Sequence, residues 1–225
     1  MLKFTRPGRL HSYLLFALMM CVSTLSVAKT DISSFSPGTY CPGPNILLIV
    51  AEDLSTSLTF VMQSRAAQAR KDQAEMVSLL EAAGVVLKQA TSRGGGARTA
   101  LLINSVILSR ATDTNEQLLT WFPLLHSALL TLPEDNARNA ADAAIAGVEE
   151  ILRDGQGGNA LDQLKKASHF LTCDDLNLPL QAAIAEQQRL LSLIQQRKPV
   201  VTKDYDKLIG SLRTAVAYVL GHGKI

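Results

Sequence analysis

Residues 72–96 read DQAEMVSLLEAAGVVLKQATSRGGG, and their pattern decides the fold class. Met76, Leu79, Leu80, Ala83, Leu87 and Ala90 recur at intervals of three and four, which places them along one stripe of an α-helix. Asp72 opens that helix, and Arg93-Gly94-Gly95-Gly96 ends it. Toward the N-terminus, residues 45–70 carry Leu47, Val50, Leu54, Leu58, Val61 and Met62 on a broad apolar face and predict a first helix. Toward the C-terminus, a third helix is expected over 97–110. Thr114 with Gln117 forms a capping box that opens a fourth, which carries Trp121 and Phe122, holds Pro123 in its first turns and ends at Pro133. A fifth covers 134–153, with Ala141, Ala144, Val148, Ile151 and Leu152 inward, and residues 154–158 form a turn. Asn159 caps a sixth, with Leu161, Leu164, Ser168 and Leu171 inward.

Residues 173–179 read as a loop into a seventh helix that ends near Arg197. Pro199 breaks the chain, and Thr202 starts an eighth helix through Leu208, Leu212, Val216 and Leu220. No alternating stretch of strand length occurs. The fold class is therefore all-α, with about eight helices in stacked antiparallel hairpins of bundle-like form.

The whole chain of 225 residues is 47% hydrophobic, 19% charged and 5% aromatic, a composition suited to closely packed helices. Its first 28 residues read as an export signal. Lys3, Arg6 and Arg9 precede an uncharged apolar run, Tyr13 to Val27, and Ser26-Val27-Ala28 offers the small residues a signal peptidase reads. An uncleaved anchor is disfavoured by the short run, and lipidation at Cys21 by Met19 and Met20 before it. Cleavage after Ala28 removes three of the 22 basic residues and no acidic ones, leaving 19 against 20 and a formal charge of −1. A polyanion such as nucleic acid is then not an expected partner, and the membrane is met only through the signal. Residues 29–44 form an extended Pro/Gly leader, and 45–225 a single helical domain. The expected location is the periplasm, or the medium beyond it.

Two cysteines remain, Cys41 in the leader and Cys173 far along the chain. An even pair without local C-x-x-C spacing in an exported protein is most simply a structural disulfide; the alternative is two separate thiols. A shift of 63 residues places Ala83-Gly84-Val85 on Ala146-Gly147-Val148 and Gly94-Gly95 on Gly157-Gly158. It also places Ala97, Leu101, Ser105 and Leu108 on Ala160, Leu164, Ser168 and Leu171. The shift suggests either a duplicated helical hairpin or the coincidence that helical patterning produces unaided. Gly84 and Gly147 are costly inside helices, and close helix approach is the expected reason for them.

Candidate chemistry is sparse. The run Arg93-Gly94-Gly95-Gly96-Ala97-Arg98 lacks the Lys-Ser/Thr pair of a phosphate loop and follows a helix, so it is read as a connection. His126, His169 and His222 have no metal-pair spacing, and a haem ligand set of Met62 or Met76 with His222 has no supporting motif. His169 and Cys173, four apart, could pair as imidazole and thiol, but a disulfide accounts for Cys173 more simply. Asp174 and Asp175 suit a helix start better than a cation site. Trp121-Phe122 is either core or a candidate apolar binding patch. No catalytic, cofactor-binding or metal-binding residues are assigned.

Three stretches carry a family resemblance: AAIAGVEEILRDGQGGNALDQLKKASHFL (143–171), DDLNLPLQAAIAEQQRLLSLI (174–194) and LIGSLRTAVAYVLGHG (208–223). With their small-residue turn, the Asn177-Leu178-Pro179-Leu180 helix start and the Leu-Gly ending, they resemble the YfdX family of exported bacterial helical proteins. The family's longer run of proline and leucine before that helix is represented here by Pro179 alone. The resemblance implies an exported, all-helical, non-enzymatic protein associated with stress responses, and it supplies no catalytic residues. The expected role is chaperone-like or protective, binding a protein client or a small apolar ligand without a cofactor, with self-association into a homo-oligomer open. The alternative is a structural or assembly component of an envelope apparatus.

Overall fold

Four of the helices begin where the sequence supplies a side chain that accepts from their first N–H groups. The computed structural model describes residues 38–155 and 158–223. Residues 1–28, read above as an export signal, leader residues 29–37, and Gln156 and Gly157 of the turn lie outside the described residues. Among the described residues there are nine helices: α1 (Pro44–Arg70), α2 (Gln73–Thr91), α3 (Gly95–Ser109), α4 (Asn115–Leu119), α5 (Phe122–Leu130), α6 (Asn136–Asp154), α7 (Ala160–Phe170), α8 (Asp174–Gln195) and α9 (Thr202–His222). The caps at Asp72 and Asn159 are in place, as is the Thr114–Gln117 box, and Asp135 adds a further cap on α6. No named strand occurs among these residues; Thr39 and Cys173 make one isolated antiparallel bridge.

Two boundaries differ from the sequence reading, each at a proline. The expected fourth helix divides into α4 and α5, because Pro123 sits in the first turn of α5, where its missing N–H costs nothing. The expected loop at 173–179 is instead the start of α8, with Pro179 inside the helix. Leu176 and Leu180, four apart and 6% and 1% exposed, hold this turn against the core although Pro179 cannot donate to it.

The helices divide between two cores. The first is a four-helix bundle, α1, α2, α8 and α9, closed around Leu54, Leu80, Leu87, Leu190, Tyr205 and Leu212. The second is built by α3–α7 around Ile103, Phe122, Leu125, Leu129, Ile145 and Leu164. The described residues all fall in one compact unit. By length and composition α1 is apolar enough to cross a membrane; here its stripe of Leu47, Val50, Leu54 and Val61 lies in the first core.

The two stretches related by the 63-residue shift pack differently. The 63-residue shift carries the ends of α2 onto those of α6, but α6 and α7 pack in one core whereas α2 and α3 belong to different ones. The buried faces also disagree: Ala83 is buried and its counterpart Ala146 is exposed. The two helix glycines differ in the same way. A Cβ on Gly84 would come within 2.5 Å of the Gln187 amide, whereas one on Gly147 would meet nothing within 4 Å. Gln187 is buried and its Nε2 donates to the Leu80 carbonyl at 2.8 Å, so Gly84 makes room for a polar link from α8 to α2.

Gly84→Ala should therefore lower stability by about 1–2 kcal/mol, overpacking outweighing the better helix propensity of alanine. In a Gln187→Ala background the same change should become neutral or stabilising. Gly147→Ala should stabilise by about 0.5–1 kcal/mol. Urea denaturation of the four variants checks the signs.

The first core holds further buried polar contacts. Ser64 donates to the Met76 carbonyl at 3.1 Å, which leaves the Tyr205 hydroxyl to donate to Ser64 at 2.9 Å. Burial raises the Tyr205 phenol above its ordinary pKa, against the opposing effect of the Ser64 hydrogen bond, so it stays a neutral donor.

Candidate functional site

The two cores meet where the chain passes from α2 to α3 and from α7 to α8, and a strap from the N-terminal side lies over that junction. The first passage needs its glycines for packing. Gly94 has φ +92°, which favours glycine; a Cβ on Gly95 would lie 2.7 Å from Leu132, and one on Gly96 would run into the Tyr40 ring and the Leu171 carbonyl. Arg93 grips Asp53 of α1 through Nε and Nη2 at 2.7 and 3.0 Å, and Arg98 Nε donates to the Gly94 carbonyl. Both arginines flanking the glycines are thus turned onto the protein's own oxygens, which fits the reading of this run as a connection.

The strap, residues 38–43, is the end of the proline-rich leader. Gly38 N donates to the His169 carbonyl at 3.0 Å, Tyr40 N to the Thr172 carbonyl at 2.9 Å, and Asp174 N to the Gly38 carbonyl at 2.7 Å. Cys41 and Cys173, 132 positions apart, are joined by a disulfide across a Cα–Cα distance of 4.5 Å. The pairing read from the sequence is present. It also disposes of the imidazole–thiol pair, since His169 Nε2 faces Asp174 Oδ2 at 2.9 Å.

Strap and passages line an open-sided cavity of about 560 Å³ between the cores. Its apolar wall includes Ile46, Ala90, Ala100, Leu132, Leu176 and Leu180, and Leu101, 46% exposed, stands in it beside solvent. Polar groups occupy separate positions on the lining: Asn104 on α3, the Asn177–Gln181 amide pair on α8, Asp135 at the start of α6, and Tyr40 of the strap. Burial, and then Asp135, push the Tyr40 phenol above its usual pKa, so its hydroxyl is a neutral donor. The size and the mixture of apolar wall and scattered polar groups fall in the range of small-molecule sites.

The other candidates are dispersed. Phe122 is completely buried in the second core and Trp121 is half-buried against it, so they form core and not an exposed patch. The ring nitrogens of His126 face Asp142 and Glu149 at 2.9 and 3.3 Å, clasping α5 to α6. His222 Nδ1 donates to the Tyr218 carbonyl, and its ring stacks on Tyr218 at 4.3 Å. Met62 is 46% exposed on α1, whereas Met76 is buried on α2. Among the described residues no group of three or more His, Cys, Asp or Glu side chains could hold a metal ion. The sequence reading missed the cavity. Its one signal was the coincidence of a glycine run with a cysteine-bearing leader.

No family model matches this chain, and comparison with curated proteins and with solved structures likewise found no match.

Proposed function

We propose that this chain is an exported, non-enzymatic binding protein that holds a small, largely apolar ligand in the cavity between its two helical cores. The observation that carries the reading is the cavity of about 560 Å³, with leucine, isoleucine and alanine side chains on its wall and a few separated hydrogen-bonding groups. Such a lining rewards a ligand for leaving water through its apolar body and orients it through amide and phenol contacts. The disulfide suits an oxidising compartment, in keeping with the export signal read in the first 28 residues. The resemblance to exported helical proteins of the YfdX family points the same way and suggests a protective role under stress.

The test is titration with an environment-sensitive naphthylamine dye, followed by competition with a panel of small apolar compounds. The dye should bind with increased emission, and Leu101→Glu, which sets a charge on an exposed part of the wall, should weaken it about tenfold or more. Unchanged dye affinity in a folded Leu101→Glu protein, or no dye binding at all, would overturn the proposal.

A further inference from the structure

The Cys41–Cys173 bridge has two unlike ends. Cys41 is exposed on the strap, whereas Cys173 is 6% exposed at the N-cap of α8. The Cys173 sulfur lies 3.2 Å from the Tyr218 hydroxyl, and a disulfide sulfur carries no proton, so Tyr218 is the donor. Burial, and then Asp175, raise the Tyr218 pKa, which keeps that proton in place. A sulfur held by a hydroxyl donor at a helix N-terminus is prepared to carry negative charge, even with Asp174 and Asp175 opposing it in the same turn.

We infer that this disulfide is a thiol-exchange site with a fixed direction: an external dithiol attacks Cys41, and Cys173 departs as the thiolate under the Tyr218 hydroxyl. In the first step the attacking thiolate forms a bond to Cys41 Sγ, the Cys41–Cys173 bond breaks, and its electron pair stays on Cys173 Sγ. In the second, the other thiol of the dithiol, as thiolate, attacks its own sulfur in the mixed disulfide and releases the Cys41 thiolate. The dithiol is oxidised by two electrons, and its two protons end on the cysteines. Exposure selects the sulfur attacked, and the neighbour of the buried sulfur selects the one that leaves.

The same exchange regulates the cavity, a consequence that rests on the ligand-binding reading above. Tyr40 and Cys41 form part of its wall, and after reduction the strap is held by the backbone hydrogen bonds of Gly38, Tyr40 and Asp174 and by the seating of Tyr40 on Gly96.

The experiment treats the folded full chain with glutathione, quenches with acid and maps the mixed disulfide by peptide mass. The adduct should sit on Cys41. Tyr218→Phe, which keeps the ring against His222, should slow dithiothreitol reduction about tenfold, as expected for loss of a hydrogen bond to a charged leaving group. Adduct on Cys173, reduction only under conditions that unfold the chain, or an unchanged rate in Tyr218→Phe would each overturn the inference. If Tyr218→Phe does not fold, the mapping on the unaltered chain decides alone. Dye release on reduction tests the regulatory consequence. A chain that binds no dye but forms the Cys41 adduct refutes the ligand reading and leaves the exchange site standing.

Discussion

Replacing Cys41 with serine should lower the stability of the folded chain by about 4–5 kcal/mol. The bridge joins positions 132 apart, and the chain-entropy account of a cross-link this long gives about 5 kcal/mol through the freedom it denies the unfolded chain. The folded state loses further support, because the bridge fixes the strap whose Tyr40 ring covers Gly96. For a domain of this size the loss corresponds to a drop in melting temperature of about 10 °C or more. Calorimetry of the variant, with and without dithiothreitol, is the check. The unaltered chain should fall to the variant's melting temperature on reduction, and the variant should not respond. A fall below about 1 kcal/mol would mean that the strap's backbone bonds dominate its attachment.

Phe122→Ala should cost about 3–5 kcal/mol, the usual range for emptying a buried aromatic site. Phe122 is fully buried among the side chains of the second core, and neither Pro123 nor Trp121 beside it has freedom to refill the space: one lies in the first turn of the same helix and the other already packs against the core. Removing an exposed binding residue would change stability by about 0.5 kcal/mol or less. Guanidinium denaturation of Phe122→Ala therefore distinguishes core from patch. The indole of Trp121, half-buried against the same core, reports the loosening through its fluorescence.

The helices were legible because their causes are local. Asp72, Thr114 with Gln117, and Asn159 receive their own helix's N–H groups, and the 3.6-residue period marks which face turns inward. The cysteine pairing was legible by count. The faces themselves were read less well where polar residues were buried. Ser57 and Ser64 of α1 lie inside because their hydroxyls find carbonyls on α2, while Met62 and, on α9, Leu220 lie outside. The division into two cores was not legible at all. A stripe states that a helix buries one side; it does not state against which partner, and α2 and α3 carry stripes of the same kind. The cavity between the cores was hidden for the same reason, since it arises from the meeting of surfaces that no local pattern describes.

The order of the helices along the chain bears on how it folds. The second core uses a continuous stretch, α3 to α7, whose members are close in sequence and can assemble from local encounters. The first core takes its helices from both ends, so α1 and α2 cannot complete it until α8 and α9 exist, 83 positions after the end of α2. The entropic cost of that closure rises only by about 0.6 kcal/mol per doubling of the intervening length. A condensed middle shortens the span further, so during synthesis the interior of the sequence can settle while its beginning still waits for its end.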